Sequence, residues 1–425
     1  MRLLIGCNTA FDKIPTAYTA STLQPFQNYP ITPDETTNAT HPFGNDTTTL
    51  TLLPDTRSII PTVEDDLGSQ NGFSSNLPLF FREEIILMAS NGVTAIHPTT
   101  GATLKLEEDT AAWFPNPTTA SPLSADGKWI AYAIRGQKLV LLNTSTAKKT
   151  IFAFPAGLIQ RLAWMPDSKH ILLNVAMLNY VAPEQKAPSQ LYYLNIETNT
   201  YTLLYNGFQV TIEEISPDGE SFLYYNPKYD EDRAMLTTDI MLGYISGKPP
   251  MQLTDDLSHK FWMDLAPDGQ SLAVFAFDPS MPVESAMDLP CHFGLNKAYV
   301  VNIRTQETKD YSIKTKSAVE YMRLSPDGSK VAYVNAEGGV CAENFPIYIL
   351  NLGSGIEERL NTRGFALGWS PDRSKVVFIR YSSEFQYNLS QLVIYDLLSD
   401  QVVASYYIED VNKESAVPYW VSLKH

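Results

Sequence analysis

From about residue 83 the chain is written in short runs of alternating apolar and polar residues, each bounded by Gly, Pro, Asn, Asp or Thr. That texture predicts β-strands joined by tight turns. One turn recurs. Ser124-Ala125-Asp126-Gly127-Lys128 returns as Met165-Pro166-Asp167-Ser168-Lys169, Ser216-Pro217-Asp218-Gly219-Glu220 and Ala266-Pro267-Asp268-Gly269-Gln270, then as Ser325-Pro326-Asp327-Gly328-Ser329 and Ser370-Pro371-Asp372-Arg373-Ser374. Pro fixes φ at the first corner, Asp caps the turn through its side chain, and Gly supplies the positive φ that lets the chain reverse. The six aspartates, Asp126, Asp167, Asp218, Asp268, Asp327 and Asp372, are therefore read as structural. An apolar residue stands two places before each Pro position: Leu123, Trp164, Ile215, Leu265, Leu324 and Trp369. Such constancy marks equivalent strands facing equivalent cores.

A second element lies between these turns, a hairpin with a Thr-, Asn- or Gly-containing bend. Its copies are Val93–Leu106, Lys138–Phe154, Leu191–Tyr205, Ile240–Leu253, Ala298–Ile313, Ile347–Leu360 and Leu392–Ile408. If the Pro-Asp turn joins strands A and B and the hairpin joins C and D, four-stranded antiparallel blades result. The expected fold is all-β, a seven-bladed β-propeller over residues 81–425, with six blades as the alternative. The first hairpin has a strand B before it (Ile85–Ala89) but no Pro-Asp turn, and Trp420 near the C-terminus aligns with Trp164 and Trp369. The C-terminal strand is thus expected to serve as strand A of the first blade and close the ring. The competing reading makes Leu77–Phe81 that strand.

The preceding segment has a different composition. Residues 8–66 hold 14 Thr and 7 Pro but only Lys13 and Arg57 as basic residues, without a sustained period. Residues 8–80 read as a flexible tether and lead-in, too poor in apolar surface to offset chain entropy. The triplets at Asn38 and Asn45 match a glycosylation acceptor, as a Thr/Asn-rich stretch does by chance. Residues 1–7, Met-Arg-Leu-Leu-Ile-Gly-Cys, end in a lipobox-like sequence, so Cys7 is expected to carry a lipid anchor. Only six residues precede Cys7, fewer than a signal requires, which implies a start codon farther upstream. The expected location is extracytoplasmic, on a bacterial membrane.

Net charge is −16, from 47 acidic against 31 basic residues, with no Lys/Arg cluster. This argues against nucleic acid and against anionic lipid as partners. No apolar run reaches the roughly 18 residues that a membrane-spanning helix needs. The six histidines show no zinc-ligand spacing, and Tyr229-Asp230-Glu231-Asp232 lacks the central Gly of a calcium loop. No metal and no cofactor is expected. Cys291 and Cys341 fall in equivalent B–C connections of neighbouring blades, where a disulfide is expected in an oxidising compartment. The extra length of the chain lies in the same connections, 175–190, 226–238, 277–297, 335–345 and 381–391. Tyr180, Tyr229, Phe277, His292, Phe385 and Tyr387 are the candidate ligand-binding residues on that face; packing within their own loops is the competing reading. Arg161, Glu213, Glu214, Asp264, Glu320 and Arg323, at or near the innermost strands, are candidates to line a channel mouth.

The Ser-Pro-Asp-Gly-Lys-like motifs resemble the WD40-like Pro-Asp repeats of TolB-type propellers, found also in the propeller of prolyl oligopeptidases. The resemblance covers about residues 83–425 and specifies fold better than function. The chain departs from TolB itself, since a Thr/Pro tether stands where TolB has a small α/β domain. A prolyl oligopeptidase would need a hydrolase domain with a Gly-x-Ser-x-Gly elbow, which is absent from the sequence. Some members of the wider family are periplasmic or surface lipoproteins, in agreement with Cys7. The function expected is a monomeric, non-enzymatic protein- or glycan-binding module at the cell envelope. The alternative is a propeller lyase or glycoside hydrolase using acids at the channel mouth.

Overall fold

The computed structural model describes residues 83–89, 92–107, 121–134, 137–146, 148–153, 157–177, 188–208, 211–230, 235–256, 258–277, 297–311, 313, 319–335, 344–381, 390–408 and 417–422, together with strands at 56–58 and 62–64. By its contacts the chain divides into Met1–Asp46 and Thr47–His425, and all described residues belong to the second unit. All regular structure among them is β. No helix there is long and apolar enough to cross a membrane.

The strands run in chain order as successive antiparallel sheets. Strands β1 (Thr56–Ser58) and β2 (Thr62–Glu64) come first, followed by β3 (Glu83–Ala89), β4 (Gly92–Ile96) and β5 (Thr103–Glu107). The second group is β6 (Trp129–Ile134), β7 (Lys138–Asn143) and β8 (Lys149–Ala153). Then come β9 (Gly157–Trp164), β10 (His170–Met177), β11 (Pro188–Asn195) and β12 (Thr200–Phe208). The fourth is β13 (Thr211–Ile215), β14 (Ser221–Asp230), β15 (Met235–Tyr244) and β16 (Met251–Gln252). The fifth is β17 (His259–Leu265), β18 (Ser271–Phe277), β19 (Lys297–Asn302) and β20 (Thr308–Tyr311). A seven-stranded sheet holds β21 (Val319–Leu324), β22 (Lys330–Asn335), β23 (Phe345–Asn351), β24 (Glu357–Trp369), β25 (Lys375–Tyr381), β26 (Ser390–Asp396) and β27 (Gln401–Ile408). Strand β24 is continuous through it, pairing β23 by its first part and β25 by its second. The last strand, β28 (Val417–Ser422), pairs with β3, Trp420 opposite Ile85, so the C-terminal strand is the A strand of the first sheet. The competing segment, 77–81, lies outside the described residues.

The burial pattern explains why the strand runs read as they do. Strands B and C, such as β6, β22 and β25, are buried on both faces because each sheet is covered on two sides, whereas β20 and β27 are largely exposed. Buried clusters join each sheet to the next. Ile86 and Val93 meet Ile130 and Tyr132, Leu139 and Phe152 meet Ile171 and Leu173, and Leu172 and Leu191 meet Phe222. Leu223 and Ile240 meet Leu272 and Val274, Phe275 meets Val331 and Tyr333, and Ile347 and Ile349 meet Phe378 and Val393. Ile379 and Leu392 then meet Ile85 and Leu87 of the first sheet, so the series returns to its start. The arrangement is that of a propeller.

The Pro-Asp turns are held as the sequence motif predicts. The hydroxyls of Ser124, Ser216, Ser325 and Ser370 donate to the turn aspartate at 2.5–2.8 Å. The same aspartates accept the backbone N–H two residues on, from Lys128, Glu220, Ser329 and Ser374. Gly127, Gly219, Gly269 and Gly328 take positive φ, and where Gly is missing Ser168 and Arg373 adopt it instead. The turn glycine has a second role. A Cβ on Gly269 would come within 2.8 Å of Pro217 Cδ in the preceding sheet's turn. The C–D hairpins carry their own cap: Asn143, Asn195, Asn302, Asn351 and Asp396 accept backbone N–H groups two or three residues on.

Two expectations are corrected here. Part of the tether is structured: β1 adds to the outer edge of β12, with Arg57 opposite Tyr201, and β2 adds to β8, with Val63 opposite Thr150. Three-residue strands are too short for a period to be read, and their backbone bonding follows from the partner edge. In addition, the connection 226–238 is mostly not a loop. Strands β14 and β15 extend to Asp230 and from Met235, with Tyr229 opposite Leu236.

Candidate functional site

The first strand of each sheet approaches the first strand of the next, as with β9 and β13, β17 and β21, and β24 and β28. These strands form the inner edges. Five of the pairings made by these strands carry a register irregularity, at Asn174/Val175 of β10 against β9, Ile212/Glu214, Lys260/Trp262, Val319/Tyr321 and Phe365/Leu367, while β28 pairs with β3 in unbroken register. Such bulges re-aim side chains. At the second of these irregularities Glu213 is the extra residue, so it and Glu214 both serve the inner edge.

The residue four before each turn aspartate occupies an equivalent place, and three are charged: Glu214, Asp264 and Arg323. Glu214 Oε2 accepts the backbone N–H of Leu265 in the next sheet at 2.6 Å. Asp264 Oδ2 accepts that of Leu324, again one sheet on, at 2.6 Å. A carboxyl oxygen thus satisfies an inner-edge N–H of the next sheet. Where the next inner strand ends in Trp, side chain and backbone exchange roles while the later sheet still donates: Trp164 Nε1 donates to Pro122 O at 2.9 Å and Trp369 Nε1 to Arg323 O at 3.0 Å. Arg161 Nη1 donates to Glu213 Oε2 at 2.6 Å, both side chains 8% exposed. The Arg323 guanidinium lies 5.9 Å from the centre of the Tyr419 ring on β28.

Electrostatics follow from this burial. Burial pushes the Glu213 carboxyl up to about 7, against the attraction of Arg161 and Arg323. Burial also raises Asp264, opposed by Arg323 and by its hydrogen bond with the Glu214 carboxyl. Two carboxyl groups can share such a bond only through a proton. Glu213 can therefore hold a proton near neutrality, yet it is engaged with Arg161, and Glu214 and Asp264 with backbone of the adjacent sheet.

The structure brings Arg161, Glu213, Glu214, Asp264 and Arg323 together at the inner edges. Glu320 lies in β21, its side chain outside the described residues. On the B–C side, Phe277 is not an exposed anchor: it ends β18 and packs in the core with Ala298, Val319 and Met322. An apolar ring at a strand end is drawn into the inter-sheet cluster. Tyr229 is in strand β14, as above. Tyr180, His292, Phe385, Tyr387, Cys7, Cys291 and Cys341 lie outside the described residues.

Sequence reasoning missed a second polar group where the chain passes from β16 to β17. Lys260 is fully buried, bonded to Asp256 and, at 3.0 Å, to Ser258 O, while Lys297 reaches Asp256 Oδ2 at 2.8 Å. Burial works to raise the Asp256 carboxyl, but the two lysines outweigh it and hold it at about 2. A Lys beside the start of an inner strand was the only available signal. Among the described residues no group of three His, Cys, Asp or Glu could hold a metal ion.

No protein-family model matches the sequence, and no curated protein sequence does. Solved structures do resemble the fold. An oligogalacturonate lyase in complex with manganese is 14% identical with a TM-score of 0.55, covering 78% of this chain and 95% of its own. The oligogalacturonate lyase of Vibrio parahaemolyticus is 10% identical with a TM-score of 0.52, covering 77% and 94%. Dihydro-heme d1 dehydrogenase NirN, in complex with DHE, is 15% identical with a TM-score of 0.50, covering 85% and 80%. At these identities the likeness speaks to the fold alone: the chain is a β-propeller, and function must be argued from its own residues.

Proposed function

We propose that this chain is a seven-bladed β-propeller of the TolB-like kind, lipid-anchored through Cys7 outside the cytoplasm, acting as a non-enzymatic protein- or glycan-binding module. Seven clusters between neighbouring sheets support the blade number. Two blades share β24 as the outer strand of one and the inner strand of the other. The observation that carries the non-enzymatic reading is the engagement of the inner-edge acids. Glu214 and Asp264 bond the backbone of the next sheet, and Glu213 pairs with Arg161, so the acids the alternative would use for chemistry hold blades together. Recognition then falls to the B–C side, with Tyr180, Phe385 and Tyr387 as anchors. A Cys291–Cys341 disulfide would brace that side.

The test is a cross-linking pull-down from envelope fractions with wild type and a Tyr180/Phe385/Tyr387 triple Ala variant. Loss of specific partners is expected; identical profiles would overturn the face. An upstream in-frame start followed by Lys/Arg and an apolar stretch is the expected sign of lipidation. Glu213, near neutrality and buried, is what favours the second reading, a lyase or glycoside hydrolase. Ultraviolet-absorbing unsaturated product from oligogalacturonate, lost in Glu213→Gln, would decide for it.

A further inference from the structure

Arg161 and Arg373 each meet an acid, Glu213 and Asp327. Arg380 is held differently. It is half-buried at the end of β25, where the chain leaves for β26 on the B–C side. Its Nε donates to Arg363 O at 3.2 Å and its Nη2 to Thr362 Oγ1 at 2.6 Å, both on β24. Its Cζ lies 5.8 Å from the centre of the Phe378 ring. Among the described residues no carboxylate acts on it, and burial alone pushes its pKa below the ordinary value. The setting is rigid. Asn344 spans the next residue, its Nδ2 donating to Tyr381 O at 2.9 Å and its Oδ1 accepting the Tyr381 N–H at 2.8 Å. A Cβ on Gly364 would collide with the Phe378 ring, so β24 lies directly against it.

A guanidinium carries five N–H donors in one plane. Two of those of Arg380 are spent on β24, and they fix its orientation. The end of the fork, Nη1 with the second hydrogen of Nη2, has no acceptor among the described residues, and this is an edge that matches the two oxygens of a carboxylate. A cation drawn partly out of water without a counter-charge is costly to the free protein, and an anion relieves that cost. Arg363, exposed on β24, adds a second positive charge close by. The net charge of −16 sets the opposite limit. A polyanion would be repelled wherever it lay within a Debye length of the acidic surface, about 8 Å at physiological salt. We propose that Arg380 is an anion anchor, taking the C-terminal carboxylate of a peptide segment whose neighbouring residues are uncharged. A chain end brings one planar carboxylate on a neutral body, which suits one open edge in an acidic surround. The proposal rests on the B–C side being the recognition side.

The test is a library of uncharged octapeptides with free C-termini, screened on the whole chain. Each binder is then made as free acid and as amide and titrated by fluorescence anisotropy. The free acids should bind about tenfold or more tightly than the amides, and the difference should vanish in Arg380→Gln. Arg380→Lys, which keeps the charge and loses the fork, should recover only part of it. Binding of acid and amide alike, or of no octapeptide, would overturn the proposal; this comparison needs no variant and stands if Arg380→Gln fails to fold. Displacement of the bound peptide by an equal concentration of methyl glucuronide would give the edge to an acidic sugar and overturn the peptide assignment. The two readings fail separately. An unchanged partner profile in the Tyr180/Phe385/Tyr387 variant sinks the aromatic anchors, while a persisting difference between acid and amide still supports Arg380. Loss of partners in that variant, with acid and amide binding equally, sinks Arg380 alone.

Discussion

The turn glycines offer a direct measure of how tightly one blade is registered on the next. Gly269 (φ +68) and Gly355 (φ +71) share a left-handed backbone, but their surroundings differ. A Cβ on Gly355 would meet nothing within 4 Å, whereas on Gly269 it would lie 2.8 Å from Pro217 Cδ, part of a rigid ring on the preceding blade. Gly355→Ala should therefore cost only the left-handed penalty, about 1–2 kcal/mol. Gly269→Ala should add an overlap of about 1–3 kcal/mol, as overpacking does elsewhere. Urea unfolding followed by tryptophan fluorescence reads both, as a fall in midpoint at unchanged slope. Pro217→Ala removes the offending Cδ, so in the double variant the overlap should be recovered and appear as a coupling of about 1 kcal/mol or more. Equal losses for the two alanine variants, or additive effects of Gly269→Ala and Pro217→Ala, would refute the blade-to-blade contact.

Three further outcomes are expected. Asp264→Ala strips the Leu324 N–H of its acceptor, and a buried donor left unsatisfied costs about 1–3 kcal/mol, read as a lowered denaturation midpoint. The hydrogen bond from Ser370 leads the groups that hold the Asp372 carboxyl at about 2, below its ordinary 3.8. Its stabilisation is therefore complete above pH 3.8 and lost as pH falls through about 2, so Ser370→Ala should unfold at higher pH in an acid titration. For Glu213 the sign is opposite. Its folded value of about 7 exceeds 4.5, so the native state binds more protons between those limits and stability falls as pH rises through them. Glu213→Gln should remove that slope in denaturation midpoints taken across the window.

Much of the ring was legible because its signals are local. Ser370, Pro371 and Asp372 form their turn within a few residues, so composition and geometry coincide there. Trp164 and Trp369 established a position that Trp420 could be matched to, and that match located the A strand of the first blade. The inner-edge charges were legible as a class, since Glu214, Asp264 and Arg323 stand at one fixed distance from their turns. Their roles were not: the amides they hold, at Leu265 and Leu324, are 51 and 60 residues away. Asn226-Pro227-Lys228-Tyr229-Asp230 reads as turn chemistry but becomes strand because Met235–Asp239 lies alongside to pair with it. Phe277 misled for a similar reason, as its burial depends on Val319 and Met322 from the next blade.

The pairing of β28 with β3 also dictates an order of events. Met88 and Val417 are partners across nearly the whole ring, so every intervening blade must be made before they can meet. Local hairpins can form as they are synthesised, but this contact has a loop-closure cost that nothing nearby offsets until its neighbours are in place. Strand β3 therefore waits with an open inner edge, and the closing strand acts as a completeness check. A chain interrupted before Ser422 keeps its blades yet lacks the latch, and it presents to proteases and chaperones an edge that the finished ring never exposes.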